Sequence, residues 1–338
     1  MRILLLVTLL ASTALSQIPP SETPQQSLVR AHAELQEGRI TDAFAILQQL
    51  TTIQPPVKGL QHELGIAYYR TGKLEEAQRA FAAGAKEDPS DLESVQMEGL
   101  TLYRLGRPGE AIPFLERVRQ WTPNANADAN YVLGLCYMNS QRYDDARRAF
   151  AIEFQVPADS GSAYLLLGNM LMRANLPELA ADQARKALQL SPNLPLAHFL
   201  LGEIYLFKSD VDRALEEFEQ ERRLNPSYAP LYDRLGDVYT RVGKLQEAQE
   251  ALTKAISLDT SSTGPFIQMG KVLLHRQEPQ TAIMYLKHAE KMDPGNFITH
   301  TLLAQAYRKM SQEDAARRET DLASKIHADE QLKLQPVN

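Results

Sequence analysis

The sequence predicts an all-α protein, a solenoid of about nine units of 34 residues, each a helix–turn–helix. Three observations carry that prediction. A column of small residues recurs every 34 positions, with one step of 35: Ala31, Gly65, Gly99, Gly134, Gly168, Gly202, Gly236, Gly270 and Ala304. A column of alanines follows at the same steps, through Ala43, Ala77, Ala111, Ala146, Ala180, Ala214, Ala248, Ala282 and Ala316. Apolar residues at helical spacing fill both halves of each unit, as in Leu64, Ala67 and Tyr68 and then Ala77 and Phe81, and no strand alternation competes.

Units begin near residues 24, 58, 92, 127, 161, 195, 229, 263 and 297, so the array spans 24–330. The heptapeptides GKLEEAQ (72–78) and GKLQEAQ (243–249) are equivalent turns, 171 residues apart. That distance is five periods plus the one extra residue, which falls in Thr122–Ala129. A glycine or polar turn separates the two helices of a unit, as at Gly72, Gly106 and Gly243. The small residue of the first helix and the alanine of the second mark the expected closest approach of the two backbones. Prolines at Pro55, Pro89, Pro123, Pro192, Pro226 and Pro294 punctuate the ends of second helices.

The ends of the chain read differently. Arg2 followed by the apolar run ILLLVTLLASTAL, with Ala14 and Ser16 before the cleavage point, reads as a signal peptide over 1–16. Residues 17–23 read as a Pro-containing linker and 331–338 as a C-terminal tail. The expected location is therefore exported, periplasmic or secreted, with no transmembrane helix in the mature chain. A net charge of −6 gives no basic footprint for nucleic acid. A single cysteine, Cys136, leaves no intrachain disulfide.

The grammar Leu-Gly, Tyr, Gly, Ala, Phe, Pro resembles the tetratricopeptide repeat. Leu64, Gly65, Tyr68, Gly72, Ala77, Phe81 and Pro89 carry it in one unit. Leu235, Gly236, Tyr239, Gly243, Ala248 and Ala255 carry it in another. The resemblance covers Pro24–Glu330. It departs from the family in lacking the customary early tryptophan, replaced by Tyr164, Tyr232 or Phe266, and in the atypical Glu34 and Thr320 of the end units. Atypical end units suit caps whose outer faces meet water.

The resemblance implies a right-handed superhelix whose first helices line a concave groove at unit positions 2, 5, 9, 12 and 13. Carried onto this chain, the groove residues are Tyr131, Leu135, Met138 and Asn139, then Leu165, Asn169, Met172 and Arg173, then Phe199, Glu203, Leu206 and Phe207. That continuous apolar strip either binds a peptide or helix or packs between neighbouring first helices. Phe207 and Met138 are the hardest to explain as core. Arg70 and Arg104, in one column with Arg173 and Arg241, either read a partner's carboxylates or favour the helix dipole.

Nothing in the sequence forms a catalytic constellation, so no catalytic residue, metal site or cofactor is expected. The histidines lie scattered without ligand spacing, and Cys136 sits among apolar residues. The leading expectation is a non-catalytic scaffold that binds protein or peptide partners through the groove, in cell-envelope assembly or secretion. The alternatives are an accessory subunit of an enzyme complex, with Glu203 as the one candidate acid or base, and a small-molecule or lipid-binding module. Oligomeric state is not legible.

Overall fold

A computed structural model describes residues 22–121 and 127–334 of the chain. The expected signal peptide, most of the linker, the centre of the Thr122–Ala129 insertion and residues 335–338 lie outside the described residues. Among the described residues there are eighteen α-helices and no strand. They form two compact units, divided after Ala158.

In the first unit, α1 (Pro24–Gln36) pairs with α2 (Ile40–Leu50) and α3 (Leu60–Arg70) with α4 (Leu74–Glu87). There α5 (Leu92–Arg104) also pairs with α6 (Pro108–Trp121), and α7 (Ala127–Asn139) with α8 (Tyr143–Glu153). In the second unit, α9 (Gly161–Arg173) pairs with α10 (Pro177–Leu190) and α11 (Ala197–Phe207) with α12 (Val211–Leu224). The series continues with α13 (Ala229–Arg241) on α14 (Leu245–Leu258) and α15 (Gly264–His275) on α16 (Pro279–Met292). It ends with α17 (Phe297–Lys309) on α18 (Glu313–Leu334), a helix that runs past residue 330 into the segment expected as tail.

Within each unit, a second helix also packs on the first helix of the next pair, and successive first helices touch, as α3 touches α1 and α5, and α15 touches α13 and α17. Each unit is thus two helical layers, one of first helices and one of second helices.

Local chemistry sets the ends of these helices. Thr23 closes a capping box with Gln26 at the start of α1, and the side chains of Asp91, Ser160, Asp210 and Asn296 cap α5, α9, α12 and α17. Every turn between paired helices places one residue in the left-handed region, always at unit position 15. Gly38, Gly72, Gly106 and Gly243 supply it with φ between 73° and 77°. Gln141, Asn175, Ser209, Gln277 and Ser311 supply it with φ between 59° and 63°. The turn geometry is therefore dictated by the pairing of the helices, because it persists where no glycine eases it.

The small-residue column works differently from the backbone contact expected of it. A Cβ added at Gly65 would stand 2.5 Å from the Phe81 ring, at Gly134 2.5 Å from the Phe150 ring, and at Gly202 2.4 Å from the Phe218 ring. Leu252 and Leu286 stand in the same relation to Gly236 and Gly270. Each glycine is a hole in the first helix, and the large apolar side chain at unit position 24 of its partner helix fills it. Phe81, Phe150, Phe218, Leu252 and Leu286 are all fully buried. One unit departs: Ala184 occupies position 24, and Leu200 from the next pair comes to 2.9 Å of the Gly168 Cβ site instead. The alanine column is buried throughout, from Ala43 to Ala316.

Replacing Gly202 by alanine tests this hole. The gain in helix propensity, about 1 kcal/mol, is opposed by overpacking of about 1–3 kcal/mol. A net loss of stability is expected in urea denaturation, while Gly109→Ala in α6, whose Cβ meets nothing within 4 Å, keeps the propensity gain unopposed and should raise the midpoint.

Candidate interaction surface

The residues expected to line one continuous groove fall in both compact units, so each set is described within its own unit. In the first, Met138 is 9% exposed and joins the core, which corrects the expectation that it resists explanation as core. Its burial follows from its place on α7, whose neighbours Cys136 and Tyr137 are also buried. Tyr131 is half-buried, its ring 5.8 Å from that of Phe150, and Leu135 is likewise half-buried. Asn139 is exposed but turns its Nδ2 back to donate to the Leu135 carbonyl at 3.1 Å.

The arginine column is largely engaged. Arg70 donates to the Leu35 carbonyl at the end of α1. Arg104 lies over the Tyr69 ring at 4.5 Å. In the second unit, Arg241 pairs with Asp237 at 2.7 Å. These cations reach a neighbouring helix end, a ring and a carboxylate. Arg173 differs: it is exposed and makes no ion pair among the described residues.

In the second unit, Leu165 is 9% exposed and belongs to the core, against its expected place on the surface strip. Asn169 donates from Nδ2 to the Leu165 carbonyl at 2.9 Å. Met172, Phe199 and Leu206 are half-buried, and both Phe199 and Leu206 pack against the core of α12–α15. Phe199 also meets the Tyr228 ring edge-on at 5.2 Å. Phe207 alone among the expected aliphatic and aromatic strip residues stands out into solvent, 55% exposed at the end of α11. It occupies unit position 13, held by Arg173 in the preceding pair and Arg241 in the following one.

Glu203, the candidate acid or base, is held by the Arg234 guanidinium at 2.6 Å. Beside it stands Asp233. Its Oδ1 is buried without a hydrogen-bond partner, and the open α carbon of Gly264 faces its carboxylate. Burial pushes the Asp233 carboxyl above the ordinary range, aided by the charges of Asp237 and Glu203 and opposed by Arg234.

Two other groups answer sequence expectations directly. Cys136 is fully buried, and burial pushes its thiol up to about 12, so it is a poor nucleophile at neutral pH. The histidines are less scattered than the sequence suggested, because packing brings His300, Glu290 and Glu319 from three helices to within 4.8 Å. His300 Nε2 lies 3.0 Å from the Pro294 carbonyl and Nδ1 lies 2.7 Å from Glu319. Lys287 already sits between the two carboxylates, 2.8 Å from Glu290 and 3.1 Å from Glu319. The group is a network of hydrogen bonds and ion pairs that ties α18 to α16 and α17.

With this geometry in place, family models match residues 34–97, 102–169 and 229–262. Both models describe the tetratricopeptide repeat. The helix pairs between and beyond the matched segments share the same packing. Among solved structures, a tetratricopeptide protein, YrrB, described as having an unusual peptide-binding site, is 23% identical over 56% of this chain and 97% of its own, with a TM-score of 0.47. The protein MamA is 22% identical over 48% of this chain and 95% of its own, with a TM-score of 0.45. PilF of Pseudomonas aeruginosa is 19% identical over 57% and 88%, with a TM-score of 0.47. No curated protein sequence matches the chain. No helix among the described residues is long and apolar enough to cross a membrane.

Asp233 yields a pH prediction with a definite sign. Its folded pKa lies above its unfolded value of about 3.9, so its ionisation opposes folding as pH rises through that interval. Asp233→Asn should therefore be more stable than the parent at neutral pH. The difference in thermal midpoint should close as the buffer is taken below the ordinary aspartate range.

Proposed function

We propose that this tetratricopeptide array is a non-catalytic scaffold that binds a partner protein or peptide on the first-helix face of its second unit. The observation that carries the reading is Phe207. A large aromatic side chain left 55% exposed on a helix whose other apolar residues are packed costs solvation free energy that a partner would recover. Arg173 holds the same unit position on α9, the first helix that touches α11, and is an exposed cation without an ion pair among the described residues. Half-buried Met172 and Leu206 extend the surface. A partner segment that presents an apolar side chain next to a carboxylate fits this pair. Glu203 gives no support to an enzymatic reading, because its carboxylate is committed to Arg234.

Photocrosslinking from position 207 in intact cells, with mass spectrometry of the captured species, tests the surface. Phe207→Ser should weaken capture by about tenfold or more, as for a central aromatic anchor, and shift stability by no more than about 0.5 kcal/mol. Undiminished capture would move the interface elsewhere.

We further propose that the chain is exported through its N-terminal segment and acts in cell-envelope assembly or secretion. Arg2, the apolar run after it and the Ala14–Ser16 spacing support the export step. Mass spectrometry of the protein isolated from its source should find the mature chain starting at Gln17. An intact Met1 on the isolated protein would remove this reading.

A further inference from the structure

The first unit contains a cavity of about 300 Å³ bounded by α1, α3, α4 and the start of α5. Five carboxylates line it, from Glu63, Glu87, Asp88, Asp91 and Glu93, against the ammonium of Lys58 and the imidazole of His62. Some of these groups are spent locally. Asp91 accepts from the Ser94 backbone N–H at 3.0 Å to cap α5 and lies 3.3 Å from His62. Asp88 takes Lys58 at 3.1 Å, and the Ser90 hydroxyl with Lys58 holds its carboxyl down to about 2.

Others are not spent. Glu87 has no partner among the described residues, and Glu93 is 3.8 Å from the nearer His62 nitrogen. Glu63 is the informative one. It is 9% exposed, its Oε1 lies 2.8 Å from His32 Nδ1, and its Oε2 is buried with no hydrogen-bond partner among the described residues. A buried carboxylate oxygen left unpaired costs free energy that a bound donor would return.

We propose that this cavity binds a primary ammonium group presented by a partner protein, with Glu63 as the buried acceptor and Glu87 and Glu93 as the charged rim. The competing cations fit less well. A guanidinium is best met by a coplanar pair of carboxylate oxygens, whereas Glu63 offers one. A metal ion draws its ligands to within about 2.0–2.6 Å of a single point, whereas these acceptors ring a space large enough for an alkyl chain. The wall is also suited to a lysine stem, because Leu28 supplies an apolar surface and Gly59 and Gly84 withhold side chains from it. Lys58 shows the chemistry at the rim, with its ammonium already resting on Asp88. The site lies in a different compact unit from Phe207, so the two proposals stand or fall separately.

The test is titration of the full chain, followed by NMR and calorimetry, with three peptides. The first is end-blocked Gly-Gly-Lys-Gly-Gly, the second its acetyl-lysine counterpart, and the third a penta-glycine amide with a free N-terminus. Binding of the first identifies a lysine side chain as the source of the ammonium, and binding of the third identifies a chain terminus. The acetyl-lysine peptide should not bind, and affinity should fall as salt rises. Glu63→Gln should weaken binding by about fivefold or more. Should that buried variant fail to fold, Glu87→Gln combined with Glu93→Gln, both on the exposed rim, should give a loss of similar size. No binding of either ammonium peptide, equal binding of the acetylated one, or equal affinity in the folded carboxylate variants would each overturn the site.

Discussion

One contact recurs through the central helix pairs: a large apolar side chain of the second helix seated in the gap left by a glycine of the first. Phe81, Phe150, Phe218, Leu252 and Leu286 fill the positions opposite Gly65, Gly134, Gly202, Gly236 and Gly270. The contact fixes the distance between paired helices, because the interior tolerates neither an extra methyl nor a void there. Fixing that distance fixes the turn, which is why five non-glycine residues accept the left-handed conformation at the same place. The unit of Gly168 shows that the constraint is volumetric rather than sequential. Ala184 leaves the space and Leu200 of the next pair takes it.

A second set of contacts recurs at fixed unit positions and joins one pair to the next. Tyr137 donates its hydroxyl to Glu116, and Tyr239 to Glu219, from unit position 11 to position 25 of the preceding pair. Tyr232 donates to the Pro226 carbonyl at 2.9 Å, and His300 meets the Pro294 carbonyl at 3.0 Å, at equivalent places. Burial, assisted by the Glu219 carboxylate, pushes the Tyr239 phenol up to about 12, so its hydrogen-bonded proton is retained at neutral pH. Stability is therefore distributed over nearest-neighbour interfaces, as for a linear array within each unit.

Because packing consumes the small, alanine and position-24 columns, variation is left to the exposed positions of the first helices. There Phe207 replaces the arginine found in the pairs on either side of it. In the first unit, carboxylates from α3, α4, α5 and the turn between α4 and α5 gather around a cavity, while Arg70 and Arg104 turn toward neighbouring helices. The two surfaces differ in chemistry, one apolar with a free cation and one acidic. The partners proposed for them differ in chemistry accordingly.

The period of 34, the helices, the turn positions and most of the core were legible in the sequence, because a repeat writes each structural requirement nine times. Residue type at a fixed unit position told what the fold needs. It did not tell what each copy of that position does. Met138 and Phe207 occupy neighbouring positions of the groove pattern, yet one is buried and the other exposed. The sequence also placed the closest approach of each pair at two backbones, where the structure sets a glycine against a ring or a leucine. Glu63 beside His32, and His300 beside Glu290 and Glu319, came together only on folding. Burial and electrostatics at any one site depend on side chains a whole repeat away, and only the packed array puts them in contact.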